Sequence, residues 1–198
     1  MRIRVISVPA AIVVPADIPG GHDDVDPAVT RMIAATQRTI DGPTGWVGRA
    51  FGKQTLEVWL RSFPCNDLTL MGPVLGNLSV KYLDRDESEQ TLDPSQYRMA
   101  GNDLVFKTGF STPATACAPD AVRIRYDAGY EAGDVPPEAK EAVILMTLHA
   151  KAVGVDNLFL RSEDVEGVGS FQYTVSDQAG AVINRAVENL LSGLRVYA

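Results

Sequence analysis

The chain has 198 residues, 45% of them hydrophobic, and carries 18 Lys plus Arg against 25 Asp plus Glu for a net charge of -7. That length and apolar content suffice for a sizeable core, while the acid excess excludes a protein that grips nucleic acid by counterion release; DNA could still pass along such a surface without being held. Cys65 and Cys117 are too few and too far apart for a disulfide framework or a zinc cluster, so a reducing cytosol fits.

The opening "MRIRVISVPAAIVVPADIPG" is mildly hydrophobic, but its apolar run from Val8 to Val14 is cut by Pro9 and followed by Pro15 and Asp17. It reads as mature protein, and no apolar run reaches the roughly 18 residues a membrane span requires. Next, "HDDVDPAVTRMIAATQRTIDGP" predicts a helix with Asp26 as N-cap, Pro27 at the first helical position and Gly42-Pro43 beyond the end. Val29, Met32, Ile33, Thr36 and Ile40 share one face of it.

The glycines of "GPTGWVGRAFGKQ" do not form a phosphate loop, because Val47 and Gln54 stand where that motif needs Gly and Ser or Thr. A turn anchored in the core by Trp46 and Phe51 is expected instead. From 54 to 127 the period becomes two: "QTLEVWLRSF", "NDLTLM", "NLSVKYLD", "DLVFK" and "AVRIRYD" predict short strands joined by turns, hence antiparallel hairpins. The acidic run Asp84, Asp86, Glu87 and Glu89 falls in one of those turns, where charge is ordinarily solvated.

Pro136-Pro137 opens a helix over about 137–153, and within "AVILMTLHA" only Thr147 and His149 are polar. A helix apolar all round is expected to be buried all round, with one side against its own core and the other, through Ile144, Leu145 and Leu148, against a second subunit. A polar segment then leads to "SFQYTV", an expected edge strand, and to a terminal helix whose stripe includes Val182, Val187, Leu190, Leu191 and Leu194. Gly193 stops or bends that helix, and "LRVYA" follows.

Neither histidine lies in a catalytic motif. His22 adjoins Asp23, Asp24 and Asp26, whose expected role is capping, and no calcium-loop pattern continues past Asp26. His149 lacks a G-x-S-x-G or Cys-His signature. A small soluble hydrolase or binding enzyme using His149 or the His22 acidic cluster is the alternative reading, and an assembly factor that leaves before maturation is a third. No catalytic residue, cofactor or metal is assigned.

The order of elements resembles the head-tail connector (adaptor) proteins of tailed phages and gene transfer agents. "LDPSQYR", "PDAVRIRYDAGY" and "VPPEAKEAVILM" carry most of the likeness, which covers about residues 20 to 155. The family ordinarily begins with a longer amphipathic helix, where this chain has "PAAIVVPADIPG". The resemblance implies a non-enzymatic ring, typically of twelve copies, in the neck of the particle and assembled in the bacterial cytoplasm. It implies as partners the portal protein, the stopper or head-completion protein, the tail, and DNA crossing the lumen without sequence-specific binding or a membrane. The C-terminal residues Leu190, Leu191, Leu194, Arg195, Val196 and Tyr197 occupy the position of a portal-binding tail. The expected fold is a single α+β connector domain. Its helical core comprises about 22–53 and 134–155, a small antiparallel sheet is inserted at about 54–130, and a linker, C-terminal helix and extended tail fill about 156–198.

Overall fold

The computed structural model describes all residues except 24, 66, 154–162, 166–168, 172–176, 197 and 198, and only the backbone of 163–165, 169–171 and 177–179. The chain divides into two compact units, Met1–Ala10 with Ile40–Val135 and Val196–Ala198, and Ala11–Thr39 with Pro136–Arg195.

The first unit is built from β1 (Arg2–Val5), β2 (Gln54–Leu60), β3 (Leu68–Thr69), β4 (Val74–Leu83), β5 (Glu89–Thr91), β6 (Tyr97–Ala100), β7 (Asp103–Phe106) and β8 (Val122–Ala128). Five strands form one antiparallel sheet in the order β1-β2-β8-β4-β5, and three form a second in the order β3-β7-β6. Alternation decides which side chains go inside. Leu56 opposes Tyr126 and Val58 opposes Ile124 across β2 and β8, and all four are fully buried. They share one core with Val80 of β4, Leu104 of β7 and Tyr97 of β6. Each such aliphatic side chain contributes about 1.5–3 kcal/mol by leaving water. Phe63, Phe106 and Phe110 pack edge-on or stacked at centroid distances of 4.8–5.9 Å and close one end of this core.

The second unit holds α1 (Pro27–Ile40, whose last residue falls in the first unit), α2 (Pro137–Ala152), α3 (Asp177–Leu191) and a short hairpin, β9 (Glu163–Val165) with β10 (Gly169–Phe171). Asp26 caps α1 as its residue type and the following proline predict, its Oδ1 accepting from the amides of Ala28 and Val29 at 2.9 and 3.2 Å. Thr36 of α1 and Thr147 of α2 join hydroxyls at 3.0 Å in the middle of the pair.

One expectation is corrected here. The fold is sheet-rich rather than a helical core with a small insertion, because two sheets with their own apolar interior make up the first unit. Within one copy, α2 buries one stripe, Ala139, Ala142, Val143 and Thr147, at spacings of three and four. Its bulkier Ile144, Leu145, Met146 and Leu148 are only half-buried. Small residues allow close helix approach, so the buried stripe is the one with the least apolar area. The start of the chain also contributes a strand, β1, where no element was expected.

Candidate functional site

His22 presents Nδ1 to Asp26 Oδ2 at 3.2 Å and Nε2 to Lys151 Nζ at 2.8 Å. With the Nδ1–H donated to the carboxylate, Nε2 accepts from the ammonium, so the trio ties the start of α1 to the end of α2. Asp26 is held below the usual carboxylate range, chiefly by the Val29 amide against a smaller opposing effect of burial, with Ala28 and His22 adding to the lowering. Its first commitment is therefore the cap. His149 is half-buried on α2 and lies against α3 beside Gly180, where a Cβ would stand 3.4 Å from the ring, an ordinary contact. No group of three or more His, Cys, Asp or Glu suited to a metal occurs among the described residues. The groove of about 490 Å³ between Met1, Arg2, Trp59, Arg61, Phe63 and Pro119 contains neither histidine. Cys65 and Cys117 are both exposed.

The glycine-bearing turn is organised by a carboxylate that the sequence reading passed over. Asp41, 2% exposed, accepts from the amides of Phe51 and Gly52 at 2.8 and 2.9 Å and from Gln54 Nε2 at 2.9 Å. A buried acid needs such donors to offset its lost hydration. Phe51 is wholly buried as expected, whereas Trp46 is 37% exposed. The acidic run also has a local purpose: Asp84 Oδ1 accepts from the amides of Asp86 and Ser88 at 3.0 Å each, and Oδ2 accepts from Gln90 at 2.9 Å.

What remains is surface suited to contact. On α2, Ile144, Leu145 and Leu148 keep part of their apolar area in solvent beside the buried stripe. On the polar face of the five-stranded sheet, Arg2, Trp59, Arg123 and Lys81 lie in one cross-strand row, and Arg4, Glu57 and Arg125 in the next. Most of these charges are matched. Arg125 places Nε and Nη2 at 2.9 and 2.6 Å from Glu57, Arg123 pairs with Asp120 at 2.6 Å, and Glu89 receives Lys81 at 2.6 Å and Arg123 at 3.2 Å. Arg4 stands over the Trp59 ring at 4.6 Å. Arg2 and Arg4 are exposed at the rim.

At the C-terminal end, α3 passes into a 3-10 turn at Ser192–Leu194, which contains the Gly193 expected to stop or bend it. Leu191 is fully buried in the second unit, Leu190 and Leu194 are half-buried, and Arg195 and Val196 are exposed. The Val196 amide donates to the Val47 carbonyl at 2.9 Å in the first unit. Tyr197 lies outside the described residues, as do Tyr173 and Val175 of the expected edge strand.

No family model and no curated protein matches the chain. Solved structures do. A chain in the neck of a native gene transfer agent particle with C12 symmetry superposes with TM-score 0.66 at 15% identity, covering 100% of this chain and 97% of that one. One in the neck of an empty particle with C6 symmetry gives TM-score 0.65 at 14% identity over the same shares. A chain of the virion of a native gene transfer agent particle gives 0.66 at 15% identity, again over 100% and 97%. The whole chain therefore shares its fold with these proteins.

Proposed function

We propose that the chain is a structural neck protein of a gene transfer agent or tailed phage, an adaptor that forms a ring beneath the portal and joins capsid to stopper and tail. The observation that carries this reading is the end-to-end likeness to chains of gene transfer agent necks, one of them with C12 symmetry. The surfaces agree with it. Rings bury matching flanks between copies, and α2 offers Ile144, Leu145 and Leu148 for that purpose. The chain's net charge of -7 suits a channel through which DNA slides rather than sticks. The C-terminal segment from Leu190 to Tyr197 reaches the portal, with Leu191 holding its base in the second unit and Leu194, Arg195, Val196 and Tyr197 making the contact. No step of chemistry is assigned.

Cryo-electron microscopy of particles from cells with and without the gene tests the proposal. Loss of the chain is expected to leave filled heads without attached tails. Heads and tails joined normally in its absence would remove the basis for the assignment.

A further inference from the structure

The five-stranded sheet ends in two different edge strands. β1 is one edge and β5 the other. Arg4 opposes Glu57 and the Ile6 amide donates to Thr55, so the alternating pattern turns Arg2 and Arg4 toward β2 and leaves the backbone groups of Ile3 and Val5 facing outward. At the far edge the Leu92 amide donates to Val80 and Asp84 donates to the Ser88 carbonyl. Gln90 therefore bonds toward β4, and Glu89 and Thr91 present their backbone groups outward. Every residue of β5 is exposed, as are Arg2, Arg4 and Val5 of β1.

We infer that β1 of one copy pairs in parallel with β5 of the next, so that the sheet runs continuously from subunit to subunit around the ring. The inference rests on the ring proposed above. An antiparallel sheet with an odd number of strands has edges that run in the same direction. Neighbours in a ring of about twelve differ by a rotation of only about 30°, so head-to-tail docking sets these edges side by side in parallel. In a parallel ladder a residue facing the partner bonds to two residues that flank the one opposite it. Ile3 or Val5 opposite Gln90 meets this condition, since Glu89 and Thr91 then supply the flanking groups. The first register places Arg2 beside Glu89 and the second places Arg4 there, on the same polar face in both.

Charge follows the same direction. β1 brings Arg2 and Arg4, while β5 and its turn bring Asp86, Glu87 and Glu89 with Arg85 as the one cation. Glu89 already holds Lys81 and Arg123 of its own copy, yet its side chain remains 42% exposed and can take a third donor. Charged edge strands commonly serve to prevent pairing, but guarding needs no opposite sign at the two edges.

The test uses the full chain with Cys65→Ser and Cys117→Ser, at concentrations where native mass spectrometry detects rings, or in purified particles. Gln90→Cys is combined with Val5→Cys or, for the other register, with Ile3→Cys, and thiols are oxidised with copper-phenanthroline. Within one copy the edges lie four strand spacings apart, about 19 Å, too far for a disulfide. One of the double variants is expected to give a ladder of dimers, trimers and larger species, and each single variant none. Adding Arg2→Glu and Arg4→Glu is expected to reduce the ladder at least tenfold, with recovery when Glu87→Arg and Glu89→Arg are added. Rings without a ladder overturn the edge pairing and leave the neck reading standing. Dimers from Val5→Cys alone overturn it in favour of a two-fold contact. A chain monomeric in solution and missing from particles overturns both.

Discussion

Arg125 of β8 faces Glu57 of β2 in register and directs two guanidinium nitrogens, at 2.9 and 2.6 Å, to one oxygen of its carboxylate, while Trp59 Nε1 takes the other at 2.7 Å. Burial raises the Glu57 pKa, but the hydrogen bonds from Trp59 and Arg125 outweigh it and hold the group below the usual carboxylate range. A depressed folded-state value means stability that is present above the unfolded carboxylate pKa and lost as pH falls through the folded one. Urea midpoints are expected to drop on acidification below about pH 4.3, the ordinary glutamate value, and Glu57→Gln to flatten that part of the profile. At neutral pH Arg125→Met is expected to cost about 1–2 kcal/mol, because the carboxylate stays buried while the guanidinium it loses was half-exposed and screened. An unchanged midpoint in Arg125→Met would show that the pair contributes nothing.

Tyr126 is fully buried beneath the sheet, and its hydroxyl accepts from the Met71 amide at 3.1 Å. Burial pushes its pKa up to about 12. A raised value preserves stability below the unfolded tyrosine pKa and removes it as pH rises through the folded one. Alkaline unfolding is expected between about pH 10 and 12, the lower bound being the ordinary tyrosine value. Tyr126→Phe should strand the Met71 amide at a cost of about 1 kcal/mol at pH 7 and delay the alkaline loss, as read by circular dichroism.

α2 separates two roles by position. Thr147 is fully buried and bonded to Thr36, so Thr147→Val is expected to lower the thermal midpoint by the loss of that one hydrogen bond, at most about 1 kcal/mol, since the Thr36 hydroxyl keeps the Met32 and Ile33 carbonyls. Ile144→Ser with Leu148→Ser should cost less stability per methylene removed, because both are only half-buried, yet shift the chain toward monomer in native mass spectrometry. Rings of undiminished abundance in that double variant would exclude this flank from the subunit contact.

How far the sequence reads through depends on whether the deciding partner is near in the chain. α1 was legible because Asp26 accepts from amides two and three positions away and Pro27 presets the first helical φ, and β2 and β8 because alternation is local. β1 was not: four residues flanked by Ser7 and Pro9 become a strand only because Glu57 and Trp59 lie alongside. Asp41 carries no local signal, because the Phe51 and Gly52 amides and Gln54 that bond to it are brought there by the fold. On α2 the proline start and the apolar run mark the helix, whereas the inward stripe of Ala139, Ala142, Val143 and Thr147 is set by the helices packed against it. The acidic run was divided in the same way: Asp84 shapes the turn, whereas Glu89 belongs to an edge strand.

Val196 packs closely against Gly48. Its amide donates a hydrogen bond to the Val47 carbonyl, its own carbonyl oxygen lies 2.9 Å from where a Cβ on Gly48 would stand, and Gly48 has φ +75°, in the left-handed region. Gly48→Ala would meet both constraints, costing about 1 kcal/mol for the backbone and displacing Val196 from its seat. The Val196–Val47 hydrogen bond, worth about 1 kcal/mol, is a modest hold on a segment whose Arg195 and Val196 are exposed. Removal of residues 195–198 is therefore expected to leave the thermal midpoint within a few degrees while abolishing attachment to portal-bearing heads. A cut that begins at Leu190 also removes the fully buried Leu191 and should destabilise the second unit by about 2–5 kcal/mol, confounding the result. Heads that still join tails when the chain ends at Leu194 would show that the portal contact lies elsewhere.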